Sequence, residues 1–320
     1  MLVSVRQCYR GNFAAYNHHT PIPTGFMKLT FTRISSLVLL TTLVVSCSHD
    51  EQVAPNQPIA AVVSQDATRD SNLAMGNPSG AVTDATNSPN NYLMTKTQFT
   101  LSYSRDKGKP NWVSWHLSSA WLGSTARQDN FNADATLPTA WYHVGATSYS
   151  GSGFDRGHNC PSADRNGSVA DNTATFLMTN MMPQAPTNNQ QTWAGLENYA
   201  RTLVGQGYEC YIVAGSYGSG GTGSAGYATT INSGHIAVPS NCWKVLVVLP
   251  EGTGDAGRVT TATRVIAVNM PNTNAIGTAW GSYRTSVDAI EAATGYDILS
   301  AVSASVQSVV EAKVDNGPTS

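Results

Sequence analysis

Charge is scarce in this chain, and neither sign dominates it. Only 12% of its 320 residues are Asp, Glu, Lys or Arg, and the formal net charge is −2. From Asn91 onward 13 Lys and Arg face 15 Asp and Glu. That balance excludes a strongly basic protein gripping a polyanion with its whole surface, but it is compatible with a local positive groove, since turnover needs no tight overall grip. No Cys-x-x-Cys spacing occurs among the five cysteines, which argues against a structural zinc site. The glycine-rich piece 215–226 lacks the Gly-Lys-Ser/Thr ending of a phosphate loop and reads as a hairpin tip. No internal repeat is visible. Apolar runs long enough to span a bilayer are also missing.

Residues 1–26 show no structural pattern. Met27 opens a different one: Lys28 and Arg33, then the apolar run Ile34–Val45, then Val44-Val45-Ser46-Cys47. A short apolar run behind basic residues suits a signal peptide, and its ending resembles the bacterial lipoprotein cleavage box. The expectation is a start at Met27, export, and a lipid anchor on Cys47, so that 1–47 is an N-terminal extension plus signal. Residues 48–91 carry Pro55, Pro58, Pro78 and Pro89 among small polar residues without periodicity, and read as a flexible tether. The remaining residues, 92–320, are ample for one buried core.

Within that body the pattern is mostly of strands. Phe99–Tyr103 and Trp112–Leu117 alternate, and Thr175–Met178 is a short apolar strand candidate. Tyr208–Ala214, Trp243–Leu249 and Arg264–Met270 are β-rich runs for a central antiparallel sheet. From Thr187 the apolar residues Trp193, Leu196, Tyr199, Ala200 and Leu203 keep helical spacing, and Arg284–Ala293 and Ser303–Lys313 read as closing amphipathic helices. The fold class is α+β, a central antiparallel sheet flanked by helices with long loops at one end. Of the cysteines outside the leader, Cys210 and Cys242 begin neighbouring strand candidates and could pair. Cys160 is an equal candidate, so the pairing is open.

The chemistry concentrates in Gly153–Asn198. Asp155, Arg156 and His158 set an acid, a cation and an imidazole side by side, with Gly157 read as the turn that presents His158. The amides Asn180, Gln184, Asn188 and Asn189 follow, and then one acid, Glu197. A base, a cation and hard oxygen ligands in so short a span suit metal-assisted hydrolysis of an anionic ester. Asn189 and Glu197, eight residues apart, would lie about 80° and about 12 Å apart on one α-helix. That is too far to share an ion directly, but suits one direct ligand plus an acid holding a water of Mg²⁺.

This ordered set resembles the DNA/RNA non-specific endonucleases, the ββα-metal nucleases, with their Asp-Arg-Gly-His signature intact at Asp155–His158. The resemblance covers about Lys96–Lys313. It implies His158 as general base, Asn189 as ligand of Mg²⁺ (Mn²⁺ or another divalent ion as substitutes), and Glu197 as the outer-sphere acid. Arg127, in Arg-x-Asp-x-Phe, falls where the family carries a phosphate-facing arginine. Asp155 and Arg156 complete the catalytic set. Asn180 and Gln184 match a further block and are assigned to the substrate side, organising the site through hydrogen bonds. The expected activity is cleavage of DNA and RNA to 5′-phosphate products without sequence preference. An inhibitor partner and the oligomeric state are not legible. Two alternatives differ in kind: an exported metal-dependent phosphodiesterase for small or lipid diesters, and an inactive nucleic-acid-binding surface lipoprotein.

Overall fold

In the computed structural model, which describes residues 68–320, the strand alternation seen in the sequence resolves into one large sheet. In chain order the main strands are β1 (Tyr92–Thr95), β2 (Thr100–Ser104), β3 (Lys109–Leu117), β4 (Asp155–His158) and β5 (Met181–Gln184). They are followed by β6 (Tyr208–Tyr217), β7 (Asn241–Pro250), β8 (Arg264–Pro271) and β9 (Arg284–Thr285). The helices are α1 (Val169–Ala174), α2 (Ala194–Gly205), α3 (Val287–Thr294) and α4 (Ala304–Val310). Seven strands form the sheet in the order β1-β2-β3-β6-β7-β8-β9, every neighbour antiparallel. The pair β4–β5 stands apart as its own antiparallel hairpin.

Period-two alternation divides the side chains of the sheet between two cores. Val113, Trp115, Ile212, Leu246 and Val268 face the side covered by α2, together with Trp193, Leu196, Tyr199 and Leu203. Trp112, Tyr211, Val213, Trp243 and Val245 face the other side, covered by Val287, Ile290, Ile298, Leu299 and Val310. Because β6 and β7 are buried on both faces, they read as continuous apolar runs. The glycine-rich piece is a short hairpin, Gly221–Gly223 against Gly226–Ala228, as its composition implied.

Several expectations shift. Residues 68–91, assigned to the tether, are packed on the body. Met75 and Ala81 are buried in the second core, Ser114 Oγ donates to the Asn72 carbonyl at 2.6 Å, and Trp112 Nε1 donates to Ser79 Oγ at 2.8 Å. Polar side chains of this stretch are spent on strand backbone and side chains, so it needs no periodicity of its own. The run Thr175–Met178 is not a strand. Phe176 is buried against His158, Met178 is buried in a cluster with Tyr149 and Phe154, and the strand begins at Met181. The helix expected from Arg284 begins after Ser286, whose Oγ accepts the Ala289 N–H at 3.1 Å, while Arg284 and Thr285 pair with β8. That expected from Ser303 closes at Val310. Cys160, Cys210 and Cys242 are all free. Cys210 and Cys242 do begin adjacent strands, but antiparallel ones. Cys210 therefore faces Val248 and Cys242 faces Ser216, about 20 Å along the sheet. No described helix is long and apolar enough to cross a membrane. The run Ile34–Val45 and Cys47 lie outside the described residues.

Candidate active site

The hairpin β4–β5 pairs Asp155 with Gln184 and His158 with Met181. Asn180 extends it by one clasp. Its Oδ1 accepts the Cys160 N–H at 3.0 Å, and its Nδ2 donates to the carbonyls of Cys160 at 2.8 Å and Thr175 at 2.9 Å. Asn159 joins the same clasp through the Asn180 carbonyl at 3.0 Å, which gives that residue and Cys160 the structural place that the sequence did not reveal. Gly157 is required by packing, and not by a turn. A Cβ there would lie 2.3 Å from Gln184 Oε1 and 2.7 Å from Gln184 Cβ. Asn180 and Gln184 are themselves fully buried in this structure, and both sit behind the hairpin.

His158 sits against this hairpin with its ring edge-on to Phe176 (5.0 Å between centroids) and Phe131 (5.6 Å). Its carbonyl accepts Trp193 Nε1–H at 3.2 Å. Its Nε2 is buried and has no hydrogen-bond partner among the described residues. Burial first, then the guanidinium groups of Arg127 and Arg156, push the imidazole down to about 3, so it is neutral and able to accept a proton across the physiological range. The ordinary imidazole value near 6.5 does not hold here, because a charge on this ring would be desolvated near two cations.

Arg156 lies over Phe131, 3.7 Å from its centroid, with Nη1 donating to the Ala146 carbonyl at 3.0 Å. Arg127 comes from the loop before α1. Its Nε donates to Asp129 at 2.6 Å and its Nη1 to Ser162 Oγ at 2.8 Å, and the guanidinium lies over Phe176. With Asp129, Phe131, Asp155 and Asn189 the two arginines line a cleft of about 350 Å³. Phe131, Phe176 and Trp193 contact the reactive groups, yet in sequence Phe176 and Trp193 read only as apolar positions of a strand and a helix, and Phe131 only as part of the loop motif around Arg127.

The helix after β5 opens with a wide i→i+5 turn over Asn188–Trp193 before α2 begins, completing a ββα unit. Such widening is rare, and it changes which way Asn189 points relative to an ideal α-helix. Asn189 Nδ2 and Gln190 Nε2 both donate to Asp155 Oδ2 at 2.8 Å. Asn189 Oδ1 and Asp155 Oδ1 have no partner among the described residues. Two hard oxygens beside open cleft fit a small divalent ion that keeps most of its waters.

Glu197 pairs with a lysine of the sheet. Its carboxylate lies 3.3 Å from Lys244 Nζ, which is 4.1 Å from the Trp193 ring centroid. Burial raises the Glu197 carboxyl and lowers the Lys244 ammonium, each opposed by the other's charge. Lys244 occupies the strand position facing α2, so this pair ties α2 to the sheet beneath the site. The structure thus brings Arg127, Asp155, Arg156, His158 and Asn189 together, and sets Asn180, Gln184 and Glu197 behind them. Among the described residues two groups of three side chains could hold a metal ion, Asp70/His116/Glu209 and Asp288/Glu291/Glu311. Neither is in the cleft.

Residues 77–305 match the family described as DNA/RNA non-specific endonuclease. The chain belongs to that family. A nuclease from Nostoc is 50% identical over 279 residues, spanning 87% of this chain and 96% of that protein. Human mitochondrial endonuclease G is 30% identical over 166 residues, spanning half of this chain and 56% of that protein's length. The crystal structure of the EndoG/EndoGI complex contains a chain that superposes with a TM-score of 0.58 at 21% identity, covering 74% of this chain and 94% of that one. That likeness concerns the fold, a large antiparallel sheet with few helices carrying the ββα unit. The endonuclease family match begins inside the segment first assigned to the tether, consistent with its packing on the sheet.

Proposed function

We propose that this endonuclease is exported and lipid-anchored through Cys47, depends on Mg²⁺, and cuts DNA and RNA to 5′-phosphate products without sequence preference. The observation that carries the chemistry is the neutral, unpartnered Nε2 of His158, packed on Phe131 behind a cleft that Phe131 and the guanidinium groups of Arg127 and Arg156 line. His158 takes the proton from the attacking water, a role that requires the base form already present at neutral pH. Arg127 and Arg156 hold the phosphate and meet the negative charge that gathers on it during attack. Phe131 and Phe176 fix the orientation of the imidazole. Asn189 and Asp155 are the residues that would hold the divalent ion, which when bound supplies Lewis acidity toward the phosphate. The charged groups of the cleft suit a phosphate, and contacts to phosphate carry no sequence information, in keeping with indifference to sequence.

The experiment is plasmid nicking beside RNA cleavage, with and without EDTA, and with a chromogenic small diester in parallel. Cleavage of both polymers that stops with EDTA and returns with Mg²⁺ is the expected result. Turnover of the small diester alone, or nicking indifferent to EDTA, overturns the proposal.

A further inference from the structure

The far face of the sheet carries acids that the reaction does not use. There Asp288 stands in the first turn of α3, Glu291 follows one turn later, and Glu311 lies just past the end of α4. The Asp288 N–H donates to the Glu311 carbonyl at 3.1 Å, which fixes the start of one helix to the end of the other. One carboxylate oxygen from each of the three residues lies within 4.8 Å of the other two.

Crowded acids alone mean little on a protein surface, but Glu311 is not on the surface. It is only 7% exposed, and its Oε1 is buried without any hydrogen-bond partner. The charged groups that act on it are Glu291, Asp297 and Asp288, all of them acids. Lys313, two residues away, turns aside to the Thr261 carbonyl at 2.7 Å. Glu291 spends one oxygen on the Ile298 N–H at 2.7 Å, and Asp288 faces solvent. A buried carboxylate with neither donor nor cation is costly unless it is protonated or something positive joins it. Burial and the neighbouring acids push Glu311 up to about 7, a measure of the repulsion that a cation would relieve.

The other three-ligand group is closed by contrast. His116 Nδ1 accepts the Asp70 N–H at 3.2 Å, its Nε2 is 3.0 Å from Glu209, and Glu209 is further paired with Arg258. No imidazole nitrogen is left there for an ion.

We propose that Asp288, Glu291 and Glu311 form a calcium site that staples the end of α4 to α3, apart from the catalytic cleft. Calcium accepts an all-oxygen shell of six to eight ligands at about 2.3–2.6 Å, so two oxygens on opposite sides of it lie about 4.8 Å apart. The three carboxylate oxygens already stand within that span. Solvent at Asp288 supplies water for the rest of the shell. Magnesium, with its shorter and stricter octahedron, is the poorer fit.

The test is thermal unfolding and calorimetric Ca²⁺ titration of the chelator-stripped full-length chain. It is run as wild type, Asn189→Ala, Glu311→Gln and Glu291→Gln. The Asn189→Ala chain removes the proposed metal ligand of the cleft, which keeps this inference separable from the proposed function. At 1 mM Ca²⁺ the wild type and Asn189→Ala are expected to melt at least about 4 °C higher than without it. Glu311→Gln and Glu291→Gln lose that shift while their Mg²⁺-supported nicking is unchanged. A wild type indifferent to Ca²⁺ overturns the site and leaves a shared proton among the acids. A shift abolished by Asn189→Ala but kept by Glu311→Gln also overturns it, because calcium then binds only the cleft. Equal shifts from Mg²⁺ and Ca²⁺ overturn the choice of ion.

Discussion

His158 shows how far one side chain's chemistry depends on its neighbours. In water an imidazole titrates near 6.5. Here burial and two guanidinium groups hold the ring down to about 3. The neutral form is the active one, so the rate at sub-saturating substrate should stay flat from pH 7.5 to about 5.5 with respect to this group. A sharp loss centred on 6.5 in the pH profile of kcat/KM would show that the ring is not desolvated in this way. The same shift acts on stability. Between about 3 and 6.5 the unfolded chain binds a proton that the native ring refuses, so stability rises with pH through that window and levels off above it. Removing the base itself, as His158→Ala, should cost about 10²–10⁴-fold in nicking rate while Mg²⁺ and DNA binding persist. Near-normal nicking by that variant at saturating Mg²⁺ would mean that another group takes the proton.

At the scale of elements, the site is a hairpin, a widened helical turn and α2 held together by buried polar contacts. The link between α2 and the sheet is Glu197 with Lys244, whose side chain is only 1% exposed. Glu197→Ala strands that ammonium in the core, and such one-sided removal costs about 3–5 kcal/mol. The melting temperature of Glu197→Ala should therefore fall, and the double change Glu197→Ala with Lys244→Met should recover most of the loss. If Glu197→Ala instead keeps its stability and only raises the Mg²⁺ needed for half-activity, the acid serves the metal and not the scaffold. The hairpin itself has a steric keystone in Gly157. Gly157→Ala drives a methyl into the buried Gln184 side chain and is expected to destabilise by about 1–3 kcal/mol, measured by denaturant unfolding.

For the molecule as a whole, binding must be local, since the body from Asn91 carries a slight negative charge. Each phosphate neutralised contributes about −0.9 to the slope of log affinity against log salt on duplex DNA, so Arg127→Ala should flatten that slope by about one. An unaltered slope in fluorescence anisotropy titrations would remove Arg127 from the phosphate path. Export is tested by labelling cells with a fatty acid: wild type should incorporate it and Cys47→Ala should not. The composition and motif of this chain were enough to place the sheet, the helix α2 and the Asp155–His158 signature, because strand alternation, helical spacing and a contiguous motif are local properties of the sequence. The same local reading missed the packing of residues 68–91, whose polar side chains bond to strands that lie far away in sequence. It offered Cys210 and Cys242 as one possible pair by their positions at strand starts, where antiparallel direction sets them at opposite ends. It saw the spacing of Glu197 from Asn189 but not the partner of Glu197, because Lys244 lies 47 residues onward. What the sequence determined alone is the inventory of reactive groups and the elements that carry them. Which of those groups face the cleft, which stand behind it, and which protonation state His158 holds were decided only by the tertiary structure, because burial and through-space charge have no signature along the chain.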